Sequence, residues 1–144
     1  MTYDKKSVEE LLKTFGSPLY IFNEQGFIDN YHSLESAMQC RYKRYKIAYS
    51  FKTNYTPYIC RTAKVLGAYA EVVSGMEYEI AKRIGYEDRN IIFNGPEKGR
   101  DGIKAFLKGA LINADSIDEV ICLCRTATEH PERDFRIGIR INLD

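Results

Sequence analysis

Five short apolar runs, beginning near Ile47 (IAYSF), Ala68 (AYAEVVS), Ile91 (IIFNG), Ala110 (ALINADS) and Phe135 (FRIGIRIN), follow one another at intervals of about 19 to 25 residues. Between them lie TPYICRTAKVLG, GMEYEIAKRIG, KGRDGIKAFLKG and SIDEVICLCRTATEH, each near the length of a helix plus its turns. Gly67, Gly85 and Gly109 stand where such helices stop, and Ser116 with Glu119 has the spacing of a capping box. Strands that alternate with helices are βα units, and βα units build a parallel sheet. The fold class is α/β, with about five parallel strands.

Two architectures accept this rhythm: a doubly wound open sheet, or part of an eight-stranded βα barrel. A central strand of a doubly wound sheet is apolar on both sides. In FRIGIRIN, Phe135, Ile137, Ile139 and Ile141 alternate with Arg136, Gly138, Arg140 and Asn142. Such a strand suits a barrel wall lining a polar site, so a partial (β/α)8 TIM-like barrel is expected. An exposed edge strand is the alternative reading of the same alternation.

Upstream, SVEELLKTFG opens with Ser7 and Glu10 in capping-box spacing and stops at Gly16, and PLYIF reads as a compact strand. GFIDNYHSLESAMQCRYKRY then places Phe27, Tyr31, Leu34 and Met38 on one helical face and ends in a basic run. The chain divides into a helix, strand and lead-in helix over residues 1–46 and the first half of a barrel over 47–144.

Composition excludes several classes of function. With 21 Lys+Arg against 20 Asp+Glu the net charge is +1, and RYKRYK (41–46) is too short a basic stretch for a nucleic-acid footprint. No apolar run reaches the roughly 18 residues of a membrane helix, and MTYDKKSVEELLK lacks the apolar core of a secretion signal, so a cytoplasmic protein is expected. Cys40, Cys60, Cys122 and Cys124 form no CxxC pair and meet no clustered histidines. They predict neither a metal site nor disulfides and read as small buried hydrophobes; His32 and His130 read as surface or helix-packing residues. Walker, GxGxxG, HExxH and GxSxG motifs are absent.

Chemistry in βα folds gathers at the C-terminal ends of the strands. Those ends carry Lys52, then Ser74 and Gly75 with Glu71 inside the strand and Glu77 opening the next helix, then Asn94 and Gly95, Asp115 and Ser116, and Arg140 and Asn142. Lys52 reads as a solvated side chain, a phosphate contact or a nucleophile. An amine desolvated inside a barrel shifts toward its neutral form and condenses with an aldehyde or ketone. Glu71, one strand along, is placed either to balance that amine or to serve as a structural ion-pair partner.

IAYSFKTN resembles the YAxKAN lysine motif of the pyridoxal 5′-phosphate-dependent decarboxylases of the alanine-racemase-like fold, the group of diaminopimelate, ornithine and arginine decarboxylases. SPLYIFNEQ, GAYAEVVSGMEYEIAKRIG, IIFNGPEKG, LINADSIDEV and GIRIN resemble further motifs of that family, in its order. The resemblance implies that Lys52 holds the cofactor through a Schiff base. It implies that Glu71 occupies an acidic position beside it, usually aspartate, that Ser74 and Glu77 lie near the cofactor, and that Arg140 is an arginine inside the barrel. It further implies amino-acid decarboxylation, with diaminopimelate as the first expected substrate, in a homodimer.

Members of that family run to roughly three times this length. The expectation is therefore an amino-terminal part that does not turn over alone and whose open sheet edges self-associate or are covered. A racemase-branch enzyme and a non-catalytic binding or assembly module on the same scaffold are the alternatives.

Overall fold

The structure, a computed structural model, describes residues 4–141. Asn142, read above as a strand-end residue, lies outside the described residues. The chain forms two compact units, Met1–Arg41 and Tyr42–Asp144.

The first unit holds helices α1 (Lys5–Phe15) and α2 (Glu24–Gln39). α1 starts earlier than the Ser7 and Glu10 spacing predicts. Asp4 is the cap, its Oδ1 accepting from the Ser7 N–H at 2.8 Å, because a carboxylate three residues ahead is a strong acceptor for an orphan amide. The helix stops at Gly16, whose φ of 82° is one that glycine adopts without strain.

PLYIF is not a strand. Residues 18–22 pair with no strand among the described residues, and Tyr20 is 95% exposed. α2 likewise ends before RYKRYK rather than within it. Arg41 with Arg44 and Lys43 with Lys46 would be like charges three apart on one helical face, which disfavours another turn.

The second unit is the βα rhythm made solid. Strands β1 (Ala48–Ser50), β2 (Tyr69–Val72), β3 (Ile91–Phe93), β4 (Leu111–Ala114) and β5 (Arg136–Ile139) alternate with helices α3 (Pro57–Val65), α4 (Gly75–Ile84), α5 (Gly99–Leu107) and α6 (Ile117–Glu129). The sheet order is β1-β2-β3-β4-β5 and every pair is parallel. A doubly wound sheet would reverse direction at a switch point. This one never does, and right-handed crossovers then set all four helices on one face, as in a barrel wall. β5 is also an edge of this sheet, so both readings of FRIGIRIN describe it.

Register sorts the side chains by face. Val72, Phe93 and Ile112 align in one row under the helices and are at most 1% exposed. Phe51, Ala70, Ile91, Tyr78, Phe106 and Leu123 join the same core. Each large side chain so buried contributes about 1.5–3 kcal/mol.

Cys60 belongs to this core, but Cys40, Cys122 and Cys124 are exposed, against the expectation of four buried thiols. On α6 the inward position is Leu123, which turns its two cysteine neighbours outward. On the opposite sheet face lies the row Ser50, Glu71, Ile92, Leu111 and Arg136, which runs from the last residue of β1 to the first of β5.

Candidate functional site

At the C-terminal ends of the strands, on the face away from the helices, lies a cavity of about 560 Å³ lined by Lys52, Glu71, Asn94, Asn113, Asp115 and Arg140 among others. It draws on all five strands or the loops after them. That is where a barrel keeps its chemistry.

A row of hydrogen bonds crosses the sheet beneath this cavity. The Ser50 hydroxyl donates to Glu71 Oε2, Asn94 Nδ2 donates to Glu71 Oε1 at 2.7 Å, and Asn113 Nδ2 donates to Asn94 Oδ1 at 2.6 Å. An ionised carboxylate only accepts, so Glu71 fixes which way round both amides point. The row ends at Gly138, where an added Cβ would lie 2.0 Å from Asn113 Oδ1. Glycine at this position is what lets Asn113 lie flat across β5.

Of the residues singled out in the sequence, Lys52, Glu71 and Arg140 line the cavity. Lys52 is exposed, so the described residues do not supply the desolvation considered for its amine. Both Glu71 oxygens are engaged by Ser50 and Asn94, and among the described residues no ion pair joins Glu71 to Lys52. Arg140 Nη1 donates to Asp115 Oδ1 at 3.0 Å and its side chain is 59% exposed. It stands at the rim with a free approach from solvent.

Ser74 and Glu77 do not line the cavity. Ser74 Oγ accepts from the Glu77 N–H at 3.3 Å, and Glu77 Oε2 accepts from the Val73 N–H at 2.9 Å. This reciprocal cap starts α4 and fixes the end of β2 behind the site. Ser116 and Glu119 repeat it at α6, with Glu119 Oε2 accepting from the Asp115 N–H at 2.8 Å.

Asn113 escaped the sequence reading, although its alternation with Ile112 and Ala114 sets it on the polar face. Lys98 was only a letter in a motif. Among the described residues no group of three His, Cys, Asp or Glu side chains is placed to hold a metal ion, and no helix is long and apolar enough to cross a membrane.

The residues fit pyridoxal 5′-phosphate. The cavity offers an accessible primary amine for its aldehyde, a guanidinium for an anionic group, and a glycine where any side chain would crowd Asn113.

The family model for the pyridoxal-dependent decarboxylase, pyridoxal binding domain, matches residues 27–144. Diaminopimelate decarboxylase of Methanocaldococcus jannaschii is 36% identical over 92% of this chain and 32% of its own length. The Aquifex aeolicus diaminopimelate decarboxylase is 29% identical over 96% of this chain and 32% of its own length. The crystal structure of the M. jannaschii enzyme superposes with a TM-score of 0.82 at 33% identity, covering 92% of this chain and 32% of that one. The chain thus spans about a third of the length of these relatives.

Proposed function

We propose a function from one premise: this chain belongs to the pyridoxal-dependent decarboxylases. The reading is that it carries the cofactor-attaching part of an amino-acid decarboxylase, with diaminopimelate as first substrate, in a cytoplasmic homodimer. The observation that carries it is the meeting of Lys52, Glu71 and Arg140 in one cavity at the strand ends.

Bound pyridoxal 5′-phosphate supplies an aldehyde that condenses with amines and a ring that draws off the electron pair left when a carboxylate departs. The chain's own residues do the rest. Lys52 Nζ is the amine that would hold the cofactor's aldehyde, and its exposed place in the turn after β1 leaves that nitrogen accessible to take up or give a proton. The Glu71 carboxylate, which lines the same cavity, is held in place by hydrogen bonds to both of its oxygens, from Ser50 and Asn94. Arg140, turned by Asp115, offers a cation for a substrate carboxylate or the cofactor's phosphate. Ser74 and Glu77 act from behind, holding the end of β2 and the start of α4 in place.

The test is attachment rather than turnover. The 144-residue chain is incubated with pyridoxal 5′-phosphate, reduced with borohydride, and mapped by peptide mass spectrometry. Modification concentrated on Lys52, with a new visible absorbance that Lys52→Ala abolishes, is the expected result. Modification spread evenly over the surface lysines would refute the assignment.

A further inference from the structure

Lys98 is the most deeply buried cation among the described residues, with 6% of the residue exposed, and it sits in the loop between β3 and α5. Its Nζ donates to the Gly95 carbonyl at 2.6 Å and to Glu119 Oε2 at 2.8 Å. The same Glu119 oxygen accepts from the Asp115 N–H, and Asp115 in turn holds Arg140. One ammonium therefore ties together two loops that line the cavity, through Gly95 on one side and Asp115 on the other. Gly95 is itself pressed against the residue that follows β2, with φ +92° and an added Cβ only 2.7 Å from the Val73 carbonyl oxygen.

A buried ion pair adds little net stability compared with apolar side chains of the same shape. Ile103, Ile112 and Leu123 line one cleft with Lys98, so a methionine keeps an apolar stem there but removes the charge and leaves Glu119 without its partner. What a methionine would lose is the fixed distance between the two loops. We propose that Lys98 is a positioning residue of the site: its ammonium clasps the β3–α5 and β4–α6 loops and so sets the wall against which the cofactor bound at Lys52 lies. This rests on the cofactor reading above, and its test separates the two.

Lys98→Met, Glu119→Gln and a control, Lys82→Met, are compared with the parent chain. Lys82 makes a similar pair with Asp88 at 2.5 Å, but lines no part of this cavity. Hydrogen–deuterium exchange of peptides spanning 94–98 and 115–119 reads the clasp without any cofactor. Borohydride-trapped labelling of Lys52 across a pyridoxal 5′-phosphate titration reads its consequence. In Lys98→Met, exchange in both peptides is expected to rise at least about tenfold, and the cofactor concentration for half-labelling to rise about tenfold. Glu119→Gln shifts both in the same direction by less, and Lys82→Met lowers thermal stability but moves neither readout.

Unchanged loop exchange in both Lys98→Met and Glu119→Gln would overturn the proposal. An equal loss of labelling in Lys82→Met would also overturn it, since general destabilisation would then be the cause. If the parent chain takes no label at Lys52, the cofactor reading fails, while the exchange data still decide for or against the clasp.

Discussion

Gly138→Ala is a substitution whose sign depends on one neighbour. Gly138 lies in β5 without a left-handed backbone, so alanine fits its dihedral angles. By chain entropy alone the change stabilises by about 0.4–1 kcal/mol. The new Cβ, however, would lie 2.0 Å from Asn113 Oδ1 and 3.0 Å from its Cγ, well inside contact distance. Either β5 shifts or Asn113 swings away and gives up its 2.6 Å bond to Asn94.

Overpacking of this kind costs about 1–3 kcal/mol, and the lost hydrogen bond about 0.5–1.5 kcal/mol. After the entropy gain the net loss is about 0.5–4 kcal/mol, which at a slope of about 2 kcal/mol/M is a fall of about 0.3–2 M in the urea midpoint with the slope unchanged. The decisive measurement is a double-mutant cycle with Asn113→Ala. In that background the obstruction is gone, and Gly138→Ala should become neutral or stabilising. Equal effects in both backgrounds would refute the steric argument and, with it, the role assigned to Gly138 in seating the polar row.

The reciprocal cap at α4 makes a second prediction: Ser74→Ala should cost about 1 kcal/mol, and Glu77→Ala about 1–3 kcal/mol because the Val73 N–H loses its acceptor. Chemical denaturation checks both, and a neutral Glu77→Ala would contradict the cap. Burial pushes the Cys60 thiol from 9.0 up to about 11. The unfolded chain releases this proton first, so stability is complete below about pH 9 and declines as the pH rises through about 11. Tyr78, raised by burial and then by its hydrogen bond with Asp88, adds to the same decline at still higher pH. Urea midpoints should fall above about pH 9, less steeply in Cys60→Ala, and a thiol reagent at pH 8 should find Cys40, Cys122 and Cys124 at once but Cys60 only after unfolding.

The strands, the helices and the barrel-like order were legible because the apolar runs and the turn residues agree, locally, on the same elements. Lys52, Glu71 and Arg140 could be placed together because strand ends in βα folds share one side. Asn94 and Asn113 were harder. Their meeting depends on the stagger between neighbouring strands, which no single run of residues encodes. Lys98 was illegible for a different reason: a lysine in a glycine-proline loop reads as solvated, and only the approach of α6 from 21 residues further on supplies the carboxylate that buries it. PLYIF misled because apolar, β-prone composition does not make a strand without a partner backbone.

The uninterrupted order of the sheet has a consequence for how the unit comes to exist. Each strand pairs with the one made just before it, so a growing chain never has to hold a gap open for a strand not yet synthesised. The loops closed at each step are a single βα unit long, which keeps their entropy cost small and nearly constant. The polar row grows by the same increments, one hydrogen-bonding residue for each strand or strand end from β1 to β4, so the row is assembled in reading order, starting from the end that carries Lys52.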